Sequence, residues 1–203
     1  MRSEIRNMRK MKSKQEGEII SFDSPDAWRK WLDKNHTSSV GIWLRFFKMG
    51  SGVASVTYDE ALDEAICYGW IDGQLKPYDK KSWIRKFTPR RPKSVWSKRN
   101  IDKVARLRKE GRMKRAGLRE AEEARTDGRW DMAYDPGSKM EMPADFLNRL
   151  SRSKRATVFF KTLNKANTYA IAWRLQTARK PETRERRMAE ILAMLEREEK
   201  FHS

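Results

Sequence analysis

Thr57–Lys76 reads TYDEALDEAICYGWIDGQLK. Thr57 and Glu60 have the T-x-x-E spacing of a capping box, in which the hydroxyl and the carboxylate each take one orphan amide of a helix start. Tyr58, Leu62, Ala65 and Ile66 then fall on one helical face. Gly69 supplies the left-handed residue that ends a helix. Trp70–Lys76 follows as a strand, with a second strand expected at Ser82–Thr88 and a loop holding Pro77 between them. One glycine that turns a capped helix into a strand marks a sheet with helices laid against it.

The pattern continues on both sides. Upstream, Glu18–Phe22 is a short strand candidate, and Ser24-Pro25 is an N-cap followed by proline at the first helical position. The helix it opens runs to about His36, with Trp28, Trp31 and Leu32 on one face. Val40–Lys48 alternates as a strand, Ile42, Leu44 and Phe46 facing one way and Trp43, Arg45 and Phe47 the other. Lys48–Ser55 is a glycine-rich loop without the Gly-Lys-Ser/Thr ending of a phosphate loop. From Ser97 the periodicity is helical, near 98–110, 114–126, 144–150, 153–162, 164–179 and 182–199. Gly111, Gly128 and the loop Asp135–Pro143 separate several of these helices. The expected class is α+β: a small mixed or antiparallel sheet with flanking helices in the N-terminal half, and a helical C-terminal half. The expected domains are a basic disordered tail at 1–15, an α+β domain at 16–134 and a helical module at 144–200, with a soft boundary at 135–143.

The chain has 203 residues and a net charge of +18, with 46 Lys and Arg against 28 Asp and Glu. Such a field attracts polyanions, so the expected partner is an anionic small molecule or nucleic acid held without sequence preference and sensitive to salt. Cys67 is the one cysteine, so no intrachain disulfide forms, and a reducing compartment is expected. The N-terminal stretch MRSEIRNMRKMKSK has no apolar h-region, and no apolar run is long enough to span a membrane. The expected location is cytoplasmic.

The chemistry-bearing residues are few. His36 and His202 are the two histidines, and neither C-x-x-C nor H-E-x-x-H occurs, so no metal site and no cofactor are expected. His36 reads as a residue at a helix C-terminus, and Cys67 as a buried structural thiol. Asp72, between Gly69 and Gly73, is either a turn aspartate or a carboxylate orienting Arg85, Arg90 or Arg91. The stretch FTPRRPKSVWSKRN, Phe87–Asn100, holds five cations and no acid. Pro89 and Pro92 stiffen Arg90 and Arg91; Ser94 or Ser97 can cap the next helix; Trp96 anchors the turn or stacks on a ring. Near the C-terminus, the helices on either side of Lys180-Pro181 form a helical hairpin, or a helix-turn-helix with Arg184, Arg186 and Arg187 on phosphates.

Several motifs together resemble the YdeI/OmpD-associated family, whose members are labelled bacteriocin-protection proteins: AICYGWIDGQ, FTPRRPKSVWSKRN, GRM with Gly117-Leu118, DGRWDMAYD and TARKPETRERR. The resemblance spans about Glu18 to Lys200, and residues from about 145 to 198 are similar to the family's helical OmdA-type module. It implies resistance to bacteriocins or cationic peptides and a role in envelope stress. It carries over no catalytic residue, so whether the chain is an enzyme stays open. The candidate ligand-binding residues are Asp72, Arg85, Thr88, Arg90, Arg91, Ser94, Trp96, Ser97 and Asn100. The expected function is a stress-associated protein that binds an anionic ligand at the basic loop. An enzyme using the same pocket, or a DNA-binding accessory factor acting through the C-terminal helices, is the alternative.

Overall fold

The computed structural model describes residues 17–136 and 140–202. The expected tail at 1–15 and three residues of the 135–143 loop lie outside the described residues. Residue contacts divide the chain into two units. The first runs to Ser94 and includes Asp102–Asp127; the second takes Val95–Ile101 and the chain from Gly128.

The first unit is built on a four-stranded mixed sheet: β1 (Ile19–Ser21), β2 (Ile42–Phe47), β3 (Trp70–Asp79) and β4 (Ser82–Pro89), in the order β1-β2-β4-β3. β1 and β2 are parallel and joined through α1 (Pro25–Asn35); β4 pairs antiparallel with β2 and β3. α1 starts as its sequence reads: the Ser24 side chain accepts from the Ala27 amide at 3.3 Å. α2 (Tyr58–Cys67) carries the complete Thr57/Glu60 capping box, and Gly69 takes φ 73° at its end.

Register sorts the strand residues onto two faces. Ile42, Leu44 and Phe46 lie opposite Phe87, Arg85 and Trp83 on one face; Trp43 and Arg45 lie opposite Lys86 and Ile84 on the other. α1 and α2 pack on the first face. Trp28 is fully buried there, its ring 5.9 Å from Phe87 and 6.2 Å from Trp70, and its indole N–H donates to the Ala61 carbonyl at 3.0 Å. Such rings fill a small core and still place their one polar atom.

The hairpin departs from the sequence reading. β3 does not stop at Lys76 but runs through Pro77 to Asp79, leaving Lys80 and Lys81 as the turn. Proline is tolerated because β3 is an edge strand, where a missing N–H breaks no ladder. Register shifts between Asp72 and Leu75, and between Pro77 and Asp79, take up the irregularity.

α3 (Lys98–Lys109) begins in the second unit and ends in the first, where α4 (Arg115–Thr126) follows. Asp63 and Glu64 of α2 are buried, and this part of the chain answers their charge: Lys103 Nζ reaches Asp63 at 2.7 Å, Arg106 pairs with Asp63, and Arg112 Nη2 reaches Glu64 at 2.7 Å. Buried carboxylates are tolerated only with such partners.

The second unit is helical: α5 (Ala144–Leu150), α6 (Lys154–Lys161), α7 (Lys165–Gln176) and α8 (Pro181–Glu196). Phe146, Leu150, Ala156, Ile171, Leu175, Met188, Ile191 and Leu195 form its core. Among the described residues no helix is long and apolar enough to cross a membrane.

Candidate functional site

Asp72 stands on β3 beside the first turn of α2. Its Oδ2 accepts from the Tyr58 hydroxyl at 2.8 Å and from Arg85 Nη2 at 2.6 Å, and the Arg85 guanidinium carbon lies 4.5 Å from the centre of the Tyr58 ring. The carboxylate orients Arg85, the pairing weighed from sequence. With one face on a ring and one nitrogen on Asp72, that guanidinium is held in a single pose.

The two arginines after β4 have opposite surroundings. The Arg90 amide donates to the Gly69 carbonyl at 3.0 Å, and its side chain is buried, with 6% of the residue exposed. Arg91 is exposed. Its amide donates to Ser94 Oγ at 3.1 Å while the Ser94 amide returns to the Arg91 carbonyl at 3.0 Å. Ser94 thus closes a turn rather than capping a helix, and Lys93 takes φ 67° inside it. Proline flanks fix the backbone here, but they do not present the two guanidiniums side by side. Thr88 is half-buried opposite Ile71, and its methyl would lie 2.6 Å from any Cβ placed on Gly41, so it packs against backbone.

Trp96, Ser97 and Asn100 belong to the second unit. Trp96 is buried with its ring 5.2 Å from Trp130, and its carbonyl accepts from the Tyr134 amide at 3.0 Å. Ser97 Oγ accepts from the Asn100 amide at 3.2 Å and caps α3. Both Ser97 and Asn100 are buried, so this helix start is closed by its own chain. The C-terminal arginines also have internal work: Arg184 Nη2 holds Asp145 at 2.8 Å, and Arg187 Nη1 donates to the Arg174 carbonyl at 2.7 Å.

A cleft of 450 Å³ opens within the first unit beside Arg90. His36, Tyr68 and Trp70 form part of its wall, and Arg115, Arg119 and Glu120 come from the first turns of α4. Lys114, the N-cap of α4, makes no side-chain capping bond, and the first turn holds no acid. The positive end of that helix therefore adds to the guanidiniums. Arg115 and Arg119 are exposed; the ion pair of Arg119 is a long one, 3.8 Å to Glu123. Gly117 sets the position of α4: a Cβ there would stand 2.4 Å from the Cys67 carbonyl oxygen. Two groups in this part of the unit, Cys67 and Tyr68, are held in their neutral forms. Burial, with Glu64 nearby, pushes the Cys67 thiol up to about 12, and burial with the Asp33 carboxylate pushes the Tyr68 phenol above its ordinary range. Cys67 is thus an unreactive thiol at neutral pH.

Sequence reasoning included Arg90 and missed Arg115 and Arg119. They lie well beyond the basic loop; their signal is an i, i+4 arginine pair opening a helix whose first turn has no acid. Among the described residues, no group of three or more His, Cys, Asp or Glu could hold a metal ion.

Residues 139–198 match the family model described as Bacteriocin-protection, YdeI or OmpD-Associated. This segment is similar to the OmdA module. Its match covers α5 to α8, the helices that share the Phe146–Leu195 core. Residues 20–120, which hold all but the first residue of the sheet together with Arg115 and Arg119, match a domain of unknown function, DUF8412. No curated protein and no solved structure matches the chain.

Proposed function

We propose that the protein serves the bacteriocin-protection role of OmdA-bearing chains by binding a small phosphorylated anion in the α4 cleft of the first unit. One observation supports this reading above the others. Arg90, Arg115, Arg119 and the start of α4 converge on a cavity of 450 Å³, with Glu120 the one carboxylate among its described lining residues. Arg90 is part of the wall, while Arg115 and Arg119 are the mobile-length, exposed clamps. Two guanidiniums four residues apart can take separate oxygens of one phosphate chain. The charge of +18 raises the local anion concentration around the whole molecule. The protein works in the cytoplasm in this reading, where its thiol needs no oxidant.

Isothermal titration with ATP and with inorganic pyrophosphate tests the cleft. Arg115→Ala combined with Arg119→Ala removes two charge-assisted hydrogen bonds, each worth about 1.5–3 kcal/mol, so affinity falls by roughly 100-fold or more. Both residues are exposed, so the melting temperature holds. Unchanged affinity in the double variant ends the proposal.

A further inference from the structure

The second face of the sheet carries a different chemistry from the cleft. α1 and α2 reach the sheet from the Phe46/Phe87 side, and the opposite face carries Trp43, Arg45 and Ile84. Trp43 has Lys76 Nζ 4.7 Å and Lys86 Nζ 5.7 Å from its ring centre. The Arg45 guanidinium lies 4.4 Å from the centre of Phe47 and 4.6 Å from that of Tyr78. Three rings and three cations thus form one continuous layer across β2, β3 and β4. The acid beside it, Asp79, is held by Arg45 at 2.6 Å. Lys48, Lys80 and Lys81 lie at one end of the layer, where Lys48 Nζ donates to the Lys80 carbonyl at 3.0 Å.

We propose that this face binds single-stranded nucleic acid. Every base has a flat π-face that stacks on rings or guanidinium planes, and its phosphate is met by the neighbouring cation; that pairing of stacking platform and charge is what sequence-tolerant single-strand binding requires. Trp43, Arg45 and Phe47 alternate along one strand, so they present planar groups in a row on one side of the sheet. Tyr78 is 47% exposed and stands at the edge, open to an incoming base. Lys76 and Lys86 occupy the ring of Trp43 in the free protein, which is 5% exposed, and turn outward to phosphates when a base arrives. A duplex hides its π-faces and gives such a platform nothing to stack on. A lipid surface is the weaker match: an anchor needs protruding apolar tips, whereas Trp43 and Phe47 lie flat beneath their cations.

The test is fluorescence anisotropy of the full chain with a labelled oligothymidylate of about 12 nucleotides, within the site size of such platforms. Tyr78→Ala is expected to lower affinity by about tenfold, within the range of one lost base–ring stack, and Tyr78→Phe to stay within about twofold. Lys76→Ala with Lys86→Ala is expected to make the salt dependence shallower by about 1.4 in log–log slope, two single-strand phosphate contacts. Arg115→Ala with Arg119→Ala leaves the affinity within about threefold, so the face and the cleft fail separately. Equal affinity for a duplex of the same length overturns the proposal, as does a Tyr78→Ala variant indistinguishable from the parent. Co-sedimentation with phosphatidylserine vesicles without oligothymidylate binding assigns the face to a membrane instead.

Discussion

Arg90 and Arg91 are neighbours with the same side chain, and the structure gives them different physics. Arg91 is in solvent; Arg90 is buried beneath the turn that its own amide pins to Gly69. Arg91→Ala should change stability by no more than about 0.5 kcal/mol. Arg90→Ala should cost about 1–3 kcal/mol, because a buried polar group and its packed stem are lost together. Urea denaturation of the two variants checks this, and equal midpoints refute it. Adjacent residues in an extended stretch point to opposite sides, so the proline-stiffened pair could not be told apart from sequence. At the same scale, the sequence left Asp72 open between a turn residue and a partner of Arg85, Arg90 or Arg91, and it is the strand pairing that sets it against Arg85. Arg115 and Arg119 were not legible, since what brings them to Arg90 is the docking of α4 on α2.

That docking is an element-scale event, and Gly117 decides it. Glycine in the interior of a helix costs about 1 kcal/mol relative to alanine, so Gly117→Ala would stabilise an isolated α4. In the folded unit the new Cβ would meet backbone, the carbonyl oxygens of Cys67 and Ile66, at 2.4 and 2.5 Å. Overpacking against backbone costs about 1–3 kcal/mol, so after the helix gain of about 1 kcal/mol a net loss of up to about 2 kcal/mol is expected, with the cleft widened. A thermal melt that rises in Gly117→Ala would show that α4 docks elsewhere. The elements themselves were legible. A capping box, a proline at the first helical turn and a left-handed glycine are local, and the structure keeps all three. The end of β3 was misread because Pro77 acts as a breaker only where its N–H would be used. Whether a strand is an edge depends on sheet order, which no single strand encodes.

At the scale of the whole molecule, pH dependence follows from groups held neutral inside the first unit. The Cys67 thiol is raised to about 12 in the folded chain, against about 8.5 when unfolded. The folded state therefore keeps a proton that the unfolded state loses. The stabilisation is full below about pH 8.5 and is lost as pH rises toward about 12, at up to about 1.4 kcal/mol per pH unit. Tyr68, raised by burial and by Asp33, adds loss in the same direction at higher pH. Thermal melts from about pH 8 to about pH 11 should fall steadily, and Cys67→Ala should flatten the slope over that window. A parallel slope in the variant would place the alkaline transition on another group.

The bulged edge strand has a consequence for how copies of the chain meet. A sheet has two rims, and each is a template on which another chain could lengthen the ladder. One rim here is β1, three residues long. The other is β3, whose line is broken twice by register shifts, interrupted by Pro77 and flanked by Lys76 and Lys80. A neighbour strand approaching that rim finds a gap in the donors, a bend and like charge. The same irregularity that hid the strand from sequence reading keeps an aromatic-rich sheet from polymerising through its edges.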